Sequence, residues 1–327
     1  MTQISYVFTL FISLFIASVP SLLAGILVSS GLLAFVDRHR LVSIFPRNRI
    51  LSAIVGSSLG MLVPVCLYGN LPVTRRLLVQ GVPLSAAVSF LVAAPTVNPI
   101  AIAMTWLAFP QSLRFLFLRL LLAWLTGVII GSLFSTYPDK PRSQAEANVI
   151  ASRSTLLTAG TLATVATEAP PYHRAGNLVY EYQGARAIGR ERIVAWQLFF
   201  ANCLQEFLEL GSILAVGCAI TAGVQMILPQ AQLLNWAQTP AQQLLVLLLL
   251  APILSLGSAA NAFFASTLTS TFLSGSLLAF LQVGSIFDLK GVGLFFASFR
   301  PRAIIYLLIL SVQIAGLLAL LLDFYGN

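Results

Sequence analysis

Residues 6–36 run from Tyr6 to Val36 without a single charged side chain. A helix needs only about 20 apolar residues to cross roughly 30 Å of hydrocarbon. The stretches 50–69, 83–109, 114–134, 196–228, 241–268, 275–299 and 303–322 are likewise predominantly apolar, though 114–134, 196–228 and 275–299 each carry two charged residues. Charged residues make up 9% of the 327-residue chain, where a soluble domain carries about 25%. So few charges cannot cover a globular surface with water, and lipid is the expected solvent. The fold class is therefore an all-α, polytopic membrane helical bundle, with the lipid bilayer as its first partner. Residues 6–36 are too long for a cleaved signal peptide and have no Lys or Arg before Arg38. They read as a membrane anchor that stays.

The formal net charge of +8 has a pattern. Its basic residues sit in short loops beside apolar spans: Arg38, Arg40, Arg47 and Arg49, then Arg75 and Arg76, then the central linker. Insertion marks cytoplasmic loops in this way, and no fingerprint of nucleic-acid binding accompanies the charge. Cys66, Cys203 and Cys218 lie far apart in apolar segments, which matches neither a disulfide framework nor a zinc spacing. Gly56-Ser-Ser-Leu-Gly60 fits the G-x-S-x-G pattern. That elbow needs a strand-to-helix turn and a His partner, yet His39 and His173 fall outside the apolar spans. Gly56 and Gly60 read instead as a helix-packing face, as do Gly127 and Gly131. With no P-loop, G-x-G-x-x-G or H-E-x-x-H, neither an enzyme nor a cofactor is expected, and no metal site.

Two hydrophobic halves, 1–134 and 196–327, flank a polar stretch at 135–195 that holds Pro138, Pro141, Pro170 and Pro171. This stretch reads as a flexible cytoplasmic linker ending in a basic juxtamembrane helix, Arg186 to Arg192. An offset of 190 or 191 residues pairs Ser21, Leu23 and Ala24 with Ser212, Leu214 and Ala215, Phe90-Leu91 with Phe280-Leu281, and Asn98 with Asp288. The halves therefore read as pseudo-symmetric repeats. If all eight stretches crossed, Arg75 and Arg76 would face away from Arg38–Arg49. A re-entrant hairpin at 50–82 puts every basic cluster on one side and leaves three crossings per half, which inverts the second repeat. An eight-crossing parallel repeat is the rival.

Within each half the pattern predicts broken helices. Pro64, Gly69 and Pro72 interrupt the first hairpin, with Cys66, Tyr68 and Asn70 between them; Ala94-Pro-Thr-Val-Asn-Pro99 is a second break carrying Thr96 and Asn98. The matching stretch Ser255–Ser266 carries Ser258 and Asn261, and Asp288-Leu-Lys290 places two charges inside 275–299. Hydrocarbon does not satisfy the peptide groups that a break frees, so breaks persist where protein or a polar cavity does. An intramembrane charge costs about 2.5–3.5 kcal/mol on insertion scales and faces a partner or a cavity. Asp288 and Lys290, two apart, do not meet on a regular helix, so a break or partners in other helices is required. Glu206 and Glu209 share a helix face and are candidates for proton coupling, or for interfacial residues of a half-immersed helix.

These residues also carry a resemblance. Cys66, Pro72, Gly81, Pro83 and Phe90-Leu-Val-Ala-Ala-Pro-Thr-Val-Asn-Pro99, with Ser255, Ser258, Asn261, Ala279-Phe-Leu281 and Asp288-Leu-Lys290 in the second half, resemble the predicted permeases that include the organoarsenical efflux permeases. The resemblance implies a secondary permease exporting a small solute, a metalloid or organoarsenical in that family. Cys66, Tyr68, Asn70, Thr96, Asn98, Ser258, Asn261 and Asp288 would bind substrate, and Glu206, Glu209 and Lys290 would serve coupling. Many members of the family carry a Cys-x-Cys pair at the first break; here Tyr68 stands at the second position, leaving Cys66 as a single thiol for a soft metalloid. A non-transporting scaffold, a subunit of a larger complex and a passive channel are the other readings.

Overall fold

A computed structural model describes residues 3–46, 48–110, 112–136, 191–227 and 236–325. Most of the expected linker, and its juxtamembrane helix through residue 190, lies outside the described residues. The first half contains α1 (Gln3–Phe35), α2 (Arg38–Ser43), α3 (Arg49–Leu59), α4 (Leu67–Val79), α5 (Leu84–Val97), α6 (Pro99–Ala108) and α7 (Leu113–Phe134). The second contains α8 (Glu191–Ile227), α9 (Pro240–Leu254), α10 (Ser258–Thr267), α11 (Ser274–Ile286), α12 (Leu289–Ser298) and α13 (Pro301–Tyr325).

Length decides which helices can cross. Segments within α1, α7, α8 and α13, together with the continuous α5–α6 pair, are long and apolar enough to span; α11 and α12 form a sixth candidate bent by 46° at Phe287–Asp288. By contrast α3, α4, α9 and α10 hold 11, 13, 15 and 10 residues. At 1.5 Å per residue they reach only about 15–23 Å, short of the hydrocarbon thickness. The stretches 50–69 and 241–268 are therefore not single spans. Each is broken into two short helices, at 60–66 and at 255–257.

The element bounds repeat. Adding 190 to α5, α6 and α7 gives 274–287, 289–298 and 303–324, against the observed 274–286, 289–298 and 301–325. The same shift carries α4 onto α10 and α1 onto α8 to within a few residues.

Packing does not keep the halves apart. α1 packs along α8, α4 against α12, α6 against α10, α5 against α11 and α7 against α13. One apolar core gathers Leu22, Ile26, Leu71, Phe90, Leu214, Phe287 and Phe295 from both halves. A second forms around Leu247, Leu250, Phe280 and Leu281, and Phe109, Phe115 and Leu122 of the first half join it. Small residues allow the approach. A methyl group at Gly25 would overlap the Gly69 backbone, and one at Gly217 would overlap the Lys290 carbonyl. Gly56, Gly60, Gly127 and Gly131 behave as the sequence indicates, each lying against α5. Large apolar side chains such as Phe8, Ile16, Phe117, Phe200, Leu208 and Leu317 face outward, as a bilayer-facing surface requires.

Candidate functional site

Pro64 lies in the irregular segment 60–66, but Gly69 and Pro72 do not interrupt a helix as expected: both lie inside α4. Gly69 is there for the close approach to α1. Pro95 likewise sits within α5, and the break narrows to Asn98, with Pro99 opening α6, where its missing N–H costs nothing.

Asn98 is the hinge of that break. Its Oδ1 accepts from Ala101 N at 2.7 Å, while its Nδ2 donates to the carbonyls of Ala94 (2.9 Å), Pro95 and Val65 (both 3.1 Å). One fully buried amide thus satisfies peptide groups of two different breaks. Asp288 repeats the role at the start of α12, accepting from Gly291 N at 2.7 Å. Ser255, in the left-handed region at φ 49°, brings its hydroxyl under the same helix and accepts from Leu289 N at 2.9 Å and Lys290 N at 3.4 Å. Each hairpin break is therefore tied to the N-terminus of the broken span in its own half.

Across the halves, the Tyr68 hydroxyl donates to Asp288 Oδ2. Lys290 Nζ lies 5.3 Å from the centre of the Tyr68 ring, within cation–π reach, and donates to Ser18 Oγ at 3.3 Å. Asp288 and Lys290 are thus resolved by both expected devices, a break between α11 and α12 and partners on α1 and α4. Asp288, Lys290 and Tyr68 are all buried.

At the opposite crossing the Cys66 thiol lies beside the Ser258 side chain. Cys66 precedes α4 and Ser258 begins α10, and neither helix has a side-chain cap. The two uncapped helix starts thus lie side by side, an arrangement suited to negative charge. Asn70 donates to Leu91 O at 3.4 Å. Its Oδ1, Thr96 Oγ1 and both polar side-chain atoms of Asn261 are buried without a hydrogen-bond partner.

Glu206 and Glu209 stand elsewhere, at the α4–α8 contact. Glu206 takes a 2.6 Å ion pair from Arg76, which Asn202 and Ser29 also contact, and Glu209 pairs with Arg75 at 3.4 Å. Sequence reasoning missed Arg119 of α7. Only 1% exposed, it donates to Thr105 Oγ1 of α6 and to Ser258 O of α10, the latter at 3.1 Å. The signal was present, since Arg119 is a charge inside the apolar stretch 114–134. Ser18 and Thr105 gave no signal, because hydroxyls are ordinary in such helices. Among the described residues no cluster of His, Cys, Asp or Glu could hold a metal ion.

A family described as "Predicted permease" matches residues 3–324. The chain belongs to that family. The permease is 32% identical over 313 residues to the UPF0718 protein YcgR of Bacillus subtilis (strain 168), covering 94% of both chains. It is 27% identical over 298 residues to a putative two-component membrane permease complex subunit of Streptococcus mutans serotype c (strain ATCC 700610 / UA159), covering 90% of the permease and 88% of that protein. No solved structure matches. The family and the apolar helices together make this a multi-pass integral membrane permease.

Proposed function

We propose that the permease is a secondary transporter that exports a small solute by alternating access through the two crossings of broken helices. The observation that carries this reading is the set of four half-helix N-termini, of α4, α6, α10 and α12, brought together by contacts between halves. Irregular backbone at membrane depth is a familiar way to build a carrier site. Cys66, Tyr68, Asn70, Thr96 and Asn98 serve from one repeat, and Ser258, Asn261 and Asp288 from the other. The repeats are inverted, because three crossings per half place the second upside down, and they rock against each other. Lys290 and Asp288 couple the cycle to an ion gradient. The paired Glu206 and Glu209 hold α8 against α4. Family resemblance makes a metalloid or organoarsenical the first cargo to try, with Cys66 as its contact.

A second reading, that the chain is one subunit of a larger permease complex, draws on the name of the Streptococcus mutans relative. One experiment separates the two. Purified chain in proteoliposomes should move a solute from a metalloid and organic panel, and Asn98→Ala and Asp288→Ala should each lower that flux at least tenfold with insertion intact. Wild-type rates in both variants would remove the site. Flux that needs a co-expressed membrane partner would establish the complex.

A further inference from the structure

One buried cation has no counter-ion. Among the described residues, Arg75 and Arg76 have carboxylate partners and Lys290 lies on the same helix end as Asp288. Arg119 has none: neither ion pair includes it, and its Nε is buried without a partner. Two of its five donors are used, by Thr105 and by the Ser258 carbonyl. Those contacts pin the guanidinium at the uncapped N-terminus of α10, beside the buried Ser258 hydroxyl; Asn261, whose side-chain amide has no partner, lies one turn further along. A buried cation without a counter-ion is strongly destabilising, and a helix N-terminus beside it deepens the positive potential.

The geometry points to Arg119 as the anchor of an oxyanion-binding site, so that the solute carried is an anion presenting two oxygens on one centre, as a carboxylate, sulfate or phosphate does. The unpartnered Nε–H, together with the second N–H of Nη2, matches such a pair in a forked contact. The N–H groups of Ser258 and its neighbours and the Ser258 hydroxyl supply further donors. This rests on the reading of the broken helices as a transport path, because the site is closed in this structure and alternating access opens it. A free solute and a lipid phosphate offer the same chemistry. Its enclosure between α6, α7 and α10 favours the solute.

The test uses full-length protein in nonionic detergent, with thermal unfolding followed in sodium sulfate, phosphate or acetate against a chloride background of equal ionic strength. At least one oxyanion should raise the midpoint of wild type. Arg119→Gln should weaken that binding at least tenfold, and Arg119→Lys, which keeps the charge but loses the fork, at least threefold. No oxyanion effect in wild type, or unchanged affinity in either variant, overturns the proposal. In nanodiscs, an Arg119-dependent stabilisation by phosphatidylglycerol but by no free oxyanion overturns it in favour of a lipid headgroup. Proteoliposome flux keeps the two readings apart. Oxyanion binding without flux sinks the carrier and leaves the site, whereas neutral-solute flux unchanged in Arg119→Gln does the reverse.

Discussion

Asn98 and Asp288 do the same local work with different chemistry. Both cap a helix that starts inside the protein, but Asn98 also donates to three carbonyls, which a carboxylate cannot do. Asp288 instead accepts from Tyr68 and Gly291 and carries a charge near Lys290. The pair Arg76–Glu206 is a different kind of feature, a short, largely buried bridge embedded among Ser29 and Asn202. Removing one partner of a buried pair leaves the other uncompensated, at a cost of about 3–5 kcal/mol. Glu206→Met and Arg76→Met should therefore each lower the thermal midpoint strongly. The double variant Arg76→Met/Glu206→Met should recover a substantial part of the loss. Additive losses in the double variant would show that the two side chains act independently.

At the scale of elements, close packing and backbone breaks set the shape. α3 and α7 approach α5 through Gly56, Gly127 and Gly131, where an added methyl would strike Ala86, Ser57, Ala93 or Ser89 atoms. Gly31 of α1 meets nothing within 4 Å. Gly56→Leu should thus destabilise by about 1–3 kcal/mol or more through overpacking, while Gly31→Ala should be neutral or slightly stabilising, since alanine favours helix. Equal midpoints for the two in detergent would mean that the α3–α5 contact is not the close one described. Pro99 at the first position of α6 was legible as part of a break, and the break that ends at Gly257 (φ 86°) before α10 falls inside the expected stretch Ser255–Ser266. Gly69 and Pro72 misled because a proline is tolerated in a membrane helix whose neighbours re-satisfy the freed carbonyl.

For the whole molecule, the distribution of Arg and Lys predicts one orientation. A reporter fused within 135–195 should read out in the cytoplasm, and so should one placed between Arg38 and Arg49. Opposite signals from the two sites would favour eight crossings over six with two re-entrant hairpins. By itself the sequence determined the membrane class, the stretches in which helices break and the 190-residue recurrence, because apolar length, helix-breaking residues and intramembrane charge are local properties of the chain; the exact break points, 60–66 rather than Gly69–Pro72 and Asn98 rather than Pro95, came from the packing. It did not reveal that Tyr68 meets Asp288, that α1 lies along α8, or that Arg119 closes on Ser258. Lipid is as apolar as the protein core, so helices here lack the polar face that would say which side packs inward. The partners of a buried polar group 100 or more residues away are settled only when the helices are packed together.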